Sequence, residues 1–375
     1  MRTILSMLTE IRQKQLRELN APENRLVEVA EKFRWFDTLL SGIKPTDSGN
    51  QIEEVMTSAD FTYAIMEFVQ RLMVPGYQQK AFDFEQFVKP ETTPNFLPVS
   101  RYQRRAGVDD LEWVGEKGTA RPGSVVDATK RQFQVYRWEK QFDFSMELLI
   151  NDDMGYFTDV AQQMGQAARR TLERFVSRML WNATTVARLV ALGALFSTTG
   201  RLTTARISTA RMAFNQRVDD RGAPILAGLR YIVHHSGLVD TVAQIQNSTL
   251  VPELATNAVN VVKGTFVPIE DPHLAGVAPN LPWMALADYR TNGIIPFVLA
   301  RRAGMPSPLL LRKKSDIEAM TSLLGGGVDV APVMGDFATG NVVVKVADVF
   351  GTYIDNTEGN LFDSRGAYYS SGTAA

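Results

Sequence analysis

The stretch KRQFQVYRWEKQFDFSMELLINDDMGYFTDVAQQMGQAARRTLERFVSRML, Lys130 to Leu180, changes its hydrophobic period halfway along. Before the change, Tyr136, Trp138, Phe142, Phe144 and Met146 alternate with polar residues, and only Lys140 breaks that face. This predicts a long, half-buried strand. After the change, Phe157, Val160, Ala161, Met164, Ala168, Leu172, Phe175, Val176, Met179 and Leu180 recur at helical spacing. Tyr156 to Ala183 would form a helix about 42 Å long at 1.5 Å per residue. Its other side holds Gln162, Gln166, Arg169, Arg170, Glu173, Arg174 and Arg178, so one face is expected to pack and the other to meet solvent or a neighbour. The junction, Asn151-Asp152-Asp153, admits two readings. Paired carboxylates can hold a hard cation, whereas short polar side chains ahead of a helix satisfy its free N–H groups and complement its dipole. Capping is the better reading, because adjacent side chains point apart and no nearby His, Glu or Asp completes a ligand set.

The chain around this stretch has 375 residues, enough for two or three packed regions. Forty Lys and Arg against 41 Asp and Glu leave a net charge of −1, which excludes the strong basic footprint of a dedicated nucleic-acid binder. With no Cys there is no thiolate nucleophile, disulfide or thiolate metal site, and a reducing compartment fits. The opening MRTILSMLTEIRQK is too soon charged for a secretory segment, and the longest apolar run, Leu189 to Phe196, is far short of the roughly 18 residues that span a bilayer. No membrane association is expected.

Two amphipathic patterns fill the first forty residues, and the second includes Phe33 and Phe36. Thr57 and Asp60 have capping-box spacing before a helix through Leu72, with Pro75-Gly76 read as its close. From Pro90 to about Thr129, turn residues and charges of both signs predict an extended two-stranded excursion with little core of its own. Asp219 to Pro224 reads as a turn into a mixed region. There GLRYIVHH is a buried strand and GLVDTVAQIQNS a helix, with further strands at Thr265 to Ile269, Trp283 to Ala287 and Pro296 to Ala300. In GNVVVKVADVFGTYI, Val342, Val344, Val346 and Asp348 alternate with Val343, Lys345 and Ala347 until Gly351 interrupts the period.

Catalytic signatures are weak throughout. His234 and His235 follow one another on a strand, so they face opposite ways and cannot pair on a metal; together with His273 they are read as structural. LLGGGVD, Leu323 to Asp329, lacks the Lys-Ser/Thr ending of a phosphate-binding loop. Arg301-Arg302 and Arg312-Lys313-Lys314 lack the interleaved aromatics of a single-strand platform.

The order of elements resembles the major capsid proteins of tailed bacteriophages, those of Mu-like phages most of all. The likeness is carried, in order, by FTYAIMEFVQRLMVPGYQQKAFDFEQFVKP, by KQFDFSMELLINDDMGYFTDVAQQMGQAARR, by ALFSTTGRLTTARISTARMAFNQRVDDRGAPILAGLRYIVHHSGLVDTVAQIQNS, by PIEDPHLAGVAPNLPWMALADY and by DVFGTYIDNTEG. It implies an α+β fold with an N-terminal helical arm over residues 1–58 and an extended loop (E-loop) over 90–130. A peripheral domain (P-domain) would take 59–89, 131–198 and 336–375, with its spine helix at about 156–183. Residues 199–222 would connect to an axial domain (A-domain) over 223–335.

The function so implied is structural, without enzyme activity or cofactor. Copies would assemble in the bacterial host cytoplasm into hexamers and pentamers, and these into an icosahedral virion capsid around double-stranded DNA held without sequence specificity. Scaffold, portal and decoration proteins would be the other partners. Lateral contacts are expected from Arg101, Arg104, Arg105, Asp109, Asp110, Glu112, Trp113 and Arg121 in the loop, with Phe33 and Phe36 in the arm. Some relatives link an E-loop Lys to a late P-domain Asn, for which Lys117 and Asn356 or Asn360 would be the candidates. Two alternatives stand beside this reading: an encapsulin-like shell around cargo enzymes, and a metal-dependent hydrolase using Asp152 and Asp153.

Overall fold

The long strand and long helix read between Lys130 and Leu180 are both present in the computed structural model of the chain, at Thr129–Phe144 and Met154–Leu180. The structure describes residues 73–103, 110–123, 128–144, 154–225, 227–253, 258–274, 280–305, 308–312, 320–321, 327–328, 342–353 and 359–372. In chain order, β1 is Lys89–Thr93, β2 Val99–Gln103, β3 Thr129–Phe144, α1 Met154–Leu180, α2 Ala183–Ala191, β4 Ser197–Thr198 and α3 Thr204–Asn215. They are followed by β5 Leu229–His235, α4 Val239–Asn247, β6 Val267–Asp271, β7 Trp283–Ala287, β8 Val298–Arg302 and β9 Leu309–Arg312. A short antiparallel pair, β10 Met320–Thr321 with β11 Gly327–Val328, precedes β12 Val342–Tyr353 and β13 Ala367–Ser370.

Two sheets organise the core. The first has the order β1-β8-β12-β3-β2, with β9 also paired to β12. Its spine is the antiparallel ladder of β12 on β3, unbroken from Val342↔Phe144 to Tyr353↔Phe133. β2 covers β3 only from Thr129 to Phe133; beyond that, the outer edge of β3 has no strand partner among the described residues. The second sheet has the order β4-β13-β7-β5-β6 and centres on β7, whose unbroken apolar run WMALA is buried on both faces.

α1 is 27 residues long, about 40 Å at 1.5 Å per residue. Its C-terminal half, through Leu172, Val176, Met179 and Leu180, joins Phe82, Phe84 and Phe87, Met284 and Leu286 of the second sheet, and Leu299 and Phe350 of the first. Earlier, Ala161 and Met164 pack on Val344 and Val346. The other face of the second sheet is closed by Ile207 and Phe214 of α3 and by Val242 and Ile245 of α4. α1 stops at Leu180 rather than running to Ala183, because Asn182 Oδ1 accepts a hydrogen bond from Thr184 N (2.8 Å) and caps α2.

Four expectations are corrected. Pro75-Gly76 does not close a helix: residues 73–78 are helical, and Gly76 is where that helix crosses α1. A Cβ on Gly76 would lie 2.2 Å from Gln162 O, and one on Gly165 would lie 2.2 Å from Met73 O. The two backbones touch at that crossing. Gly351 likewise does not end β12, since it faces Val135 in register and a Cβ there would lie 1.9 Å from Gln134 O. In the first half of β3 the buried residues are Arg131, Phe133 and Val135, opposite the face that the alternation marked. The reason is a sheet covered on both sides: Val349, Tyr353 and Phe362 enclose that face, while on the other Trp138 stacks on Phe350 (5.2 Å between ring centroids) against Phe175, with Tyr136 exposed. Finally, Arg169 and Glu173 are not solvent-facing; both are buried beneath the segment that holds Phe82, Phe84 and Glu85.

Strand limits at Val267–Asp271 and Val298–Arg302 fall two residues later than read. β8 and β9 pair with β1 and β12 in the first sheet, and β13 with β7 in the second.

Candidate assembly surface

The charged excursion begins at a rigid root. Arg131 is buried; its Nε donates to Gln103 Oε1 (3.0 Å), its Nη1 donates to the Tyr353 hydroxyl (2.5 Å), and its guanidinium lies over the Tyr353 ring (5.1 Å). Phe133 stacks on Phe362 with centroids 5.5 Å apart. Two strands, β2 and the start of β3, leave this root side by side.

Past Gln103 the described part of the excursion, residues 110–123, contains neither strand nor helix. Leu111 is 101% exposed and Trp113 is 92% exposed, so neither buries area within its own subunit. Around them Asp110 is exposed, and Arg121 Nη1 lies 3.7 Å from Glu112 Oε2. Lys117, also exposed, takes a left-handed backbone (φ 63°) beside a turn closed by Gly118 N donating to Gly115 O (2.8 Å). Arg101 belongs to β2, where its Nε donates to Glu91 Oε1 (3.0 Å). Asn360 donates its backbone N–H to Thr185 Oγ1 (3.1 Å). Arg104, Arg105, Asp109, Phe33, Phe36, Asn151, Asp152, Asp153 and Asn356 lie outside the described residues.

Elsewhere, along α1, charged groups are engaged with one another. Arg169 Nε donates to Glu173 Oε1 (2.8 Å) and its Nη1 to Glu85 Oε1 (2.9 Å), while Ala81 N donates to Glu173 Oε1 (3.2 Å) and His273 Nε2 lies 3.3 Å from Glu173 Oε2. Burial lowers the Arg169 pKa, but its two carboxylate partners outweigh that and hold it above the usual value. Burial also raises Glu85, and hydrogen bonds from Lys80 and Arg169 more than reverse it. Asp271 is fully buried on β6, where Oδ2 accepts from Ser177 Oγ (2.6 Å) and Trp181 Nε1 (2.9 Å) and Oδ1 accepts from His273 N (3.0 Å). Burial dominates there and pushes the carboxyl above its usual range.

His234 Nδ1 lies 3.0 Å from His235 O, and burial lowers its pKa. His235 Nδ1 accepts from Gly237 N (2.9 Å). These contacts fix local backbone and bring no nucleophile to either ring. Among the described residues no group of three His, Asp or Glu could hold a metal ion, although the Asp152-Asp153 pair itself lies outside them. Among the described residues, too, no helix is long and apolar enough to cross a membrane.

Sequence reading passed over two anchors. One is Arg131. The other is Arg217, buried between the Phe196 and Phe214 rings (4.3 and 4.2 Å) and donating to the carbonyls of Leu195 (2.8 Å), Ala367 (2.8 Å) and Arg365. Burial pushes its pKa down to about 9, which leaves it protonated at neutral pH and able to hold three strands of chain together. Nothing in RVDDRG distinguishes such an arginine from a solvated turn residue.

A sequence model of a phage capsid protein family matches residues 128–369, well over half of the chain, from the start of β3 to β13. The match is to phage capsid proteins as such and does not single out the Mu-like group. No curated protein matches the chain in sequence. Among solved structures, the chain is similar to one from Mycobacterium phage Cain (14% identity, 79% of this chain and 93% of that one, TM-score 0.46). It is also similar to one from Microbacterium phage Oxtober96 (13%, 78% and 91%, TM-score 0.49). A third is the capsid of a native GTA particle (10%, 78% and 90%, TM-score 0.47). The chain belongs to the phage capsid protein family and is a structural component of the virion shell.

Proposed function

We propose that copies of this chain join through the excursion between β2 and β3 into hexamers and pentamers, and that these close into an icosahedral shell around double-stranded DNA. In this reading residues 90–130 are the E-loop, 1–58 the arm, 59–89, 131–198 and 336–375 the P-domain, 199–222 the connection and 223–335 the A-domain. Assembly takes place in the host cytoplasm, with scaffold, portal and decoration proteins as further partners.

The observation that carries the reading is the pairing of a rigid root with a bare tip. Arg131 and Phe133 hold the excursion's direction, while Leu111 and Trp113 stand almost wholly exposed at its described end. An exposed Trp beside an exposed Leu is an apolar contact awaiting a partner, and closed symmetric assemblies supply one from an identical copy. Flanking ion pairs such as Glu112–Arg121 add only about 0 to 1 kcal/mol each and serve register more than affinity.

The test is the double variant Leu111→Ala, Trp113→Ala. Its subunit stability stays within about 0.5 kcal/mol of wild type, because neither side chain is buried in the fold. Particles seen by negative-stain electron microscopy for the wild type are absent for the variant. Normal particles from the variant would overturn the assignment, and wild-type particles filled with an enzyme instead of DNA would overturn the cargo.

A further inference from the structure

We propose that the exposed stripe Arg170, Arg174 and Arg178 on α1 is a contact for the phosphate backbone of duplex DNA, an inference that rests on the DNA-filled shell above. The three residues recur every four positions, about 6 Å apart along the helix axis, and all are exposed. Among the described residues none of them meets a carboxylate, whereas Arg169 on the same helix is fully engaged by Glu173 and Glu85. Glu173, three residues after Arg170, is buried and taken up by Arg169 and His273, and the exposed acid of α1, Asp159, lies about three turns before Arg170. A row of uncompensated guanidinium groups thus stands on the surface of a chain whose overall charge is −1.

Guanidinium suits phosphate, which it grips through paired N–H donors. Single-stranded nucleic acid would also ask for stacking rings, but Phe175, the aromatic within the row, turns inward onto Phe350 (5.1 Å) and Trp138 (5.7 Å). That leaves the backbone of a duplex. From Arg170 to Arg178 the stripe is about 12 Å long, opposite roughly seven duplex charges at one per 1.7 Å, so three cations neutralise fewer than half of them. Three phosphate contacts give a salt slope of about −2.7 and roughly a 40-fold loss of affinity between 50 and 200 mM salt. Each copy holds DNA weakly, and many copies repeat the contact.

The test uses the full chain as dissociated subunits and a 30-base-pair duplex, with binding read by fluorescence anisotropy across that salt range. Arg170→Gln, Arg174→Gln, Arg178→Gln is compared with wild type and with a charge-matched control, Arg201→Gln, Arg211→Gln, Arg230→Gln, built at exposed positions outside α1. The stripe variant is expected to lose about 2.7 from the slope while the control keeps it. No binding by the wild type, an unchanged slope in the stripe variant, or equal losses in both variants overturns the proposal. So does a stripe variant that binds DNA normally but no longer forms particles, since the stripe would then be a subunit contact. The two readings fail separately: a wild-type chain that forms no particles sinks the shell, and wild-type particles with an unchanged stripe slope sink only the stripe.

Discussion

Replacing Arg169 with Met leaves Glu173 as a buried charge without its cation. Glu173 is 2% exposed and, among the described residues, would retain the Ala81 N–H and His273 as its polar partners. Removing one partner of a buried pair costs about 3 to 5 kcal/mol, mostly because the other charge stays desolvated. Glu85 is half exposed, so its loss adds at most about 1 kcal/mol after solvent screening. The expected total is therefore about 4 kcal/mol, a large part of a normal folding free energy. The companion Arg169→Met, Glu173→Leu removes both charges and should recover most of it, since a buried pair replaced by apolar groups is often neutral. Urea unfolding of the dissociated subunit, followed by far-ultraviolet circular dichroism, gives both values. The pH response has a definite sign as well. Glu85 has a lowered folded-state pKa, so its contribution is present above the unfolded-state pKa and is lost as pH falls through the folded one; Arg169→Met should shrink that acid-side loss. A single-variant cost below about 1 kcal/mol would refute the argument, for it would mean that Glu173 is hydrated as a surface charge is.

Gly351→Ala should abolish recovery of folded chain, because its Cβ would meet Gln134 O at 1.9 Å in the main ladder, whereas Gly228→Ala, with nothing within 4 Å, should stay within about 0.5 kcal/mol on thermal unfolding. Asp271→Asn tests burial of a raised carboxyl: the folded state holds its proton more tightly than the unfolded one, so wild-type stability relative to the variant should fall as pH rises from the unfolded-state pKa through the folded one. A flat difference in denaturation midpoint between pH 4 and 7 would contradict that.

What the sequence made legible follows from what periodicity encodes. β7 was read at its true limits because WMALA is an unbroken apolar run, and α1 to within three residues because its stripe repeats for over seven turns. Periodicity reports which side of a helix is polar but not what lies over it. The pattern therefore puts Arg169 and Glu173 on a face that meets solvent or a neighbour, whereas the 79–88 segment of the same chain covers them. Glycine is ambiguous in a different way, since the missing Cβ that permits a turn also permits two backbones to touch. Gly76 and Gly351 looked like stops and are contacts. In the excursion, Trp113 stood out as an aromatic among charges, whereas Leu111 did not, and Arg131 and Arg217 gave no signal because their partners are carbonyls and rings brought from distant parts of the chain.

The outer edge of β3 past Phe133, which has no strand partner among the described residues, bears on how such a chain avoids the wrong polymer. In a protein made at high concentration to meet copies of itself, backbone donors and acceptors left open on such an edge would invite endless strand-on-strand zippering into fibrils. Arg137, Glu139, Lys140 and Asp143 line that margin, all exposed. Charges so placed make sheet extension costly, and self-recognition is left to surfaces that can close on themselves.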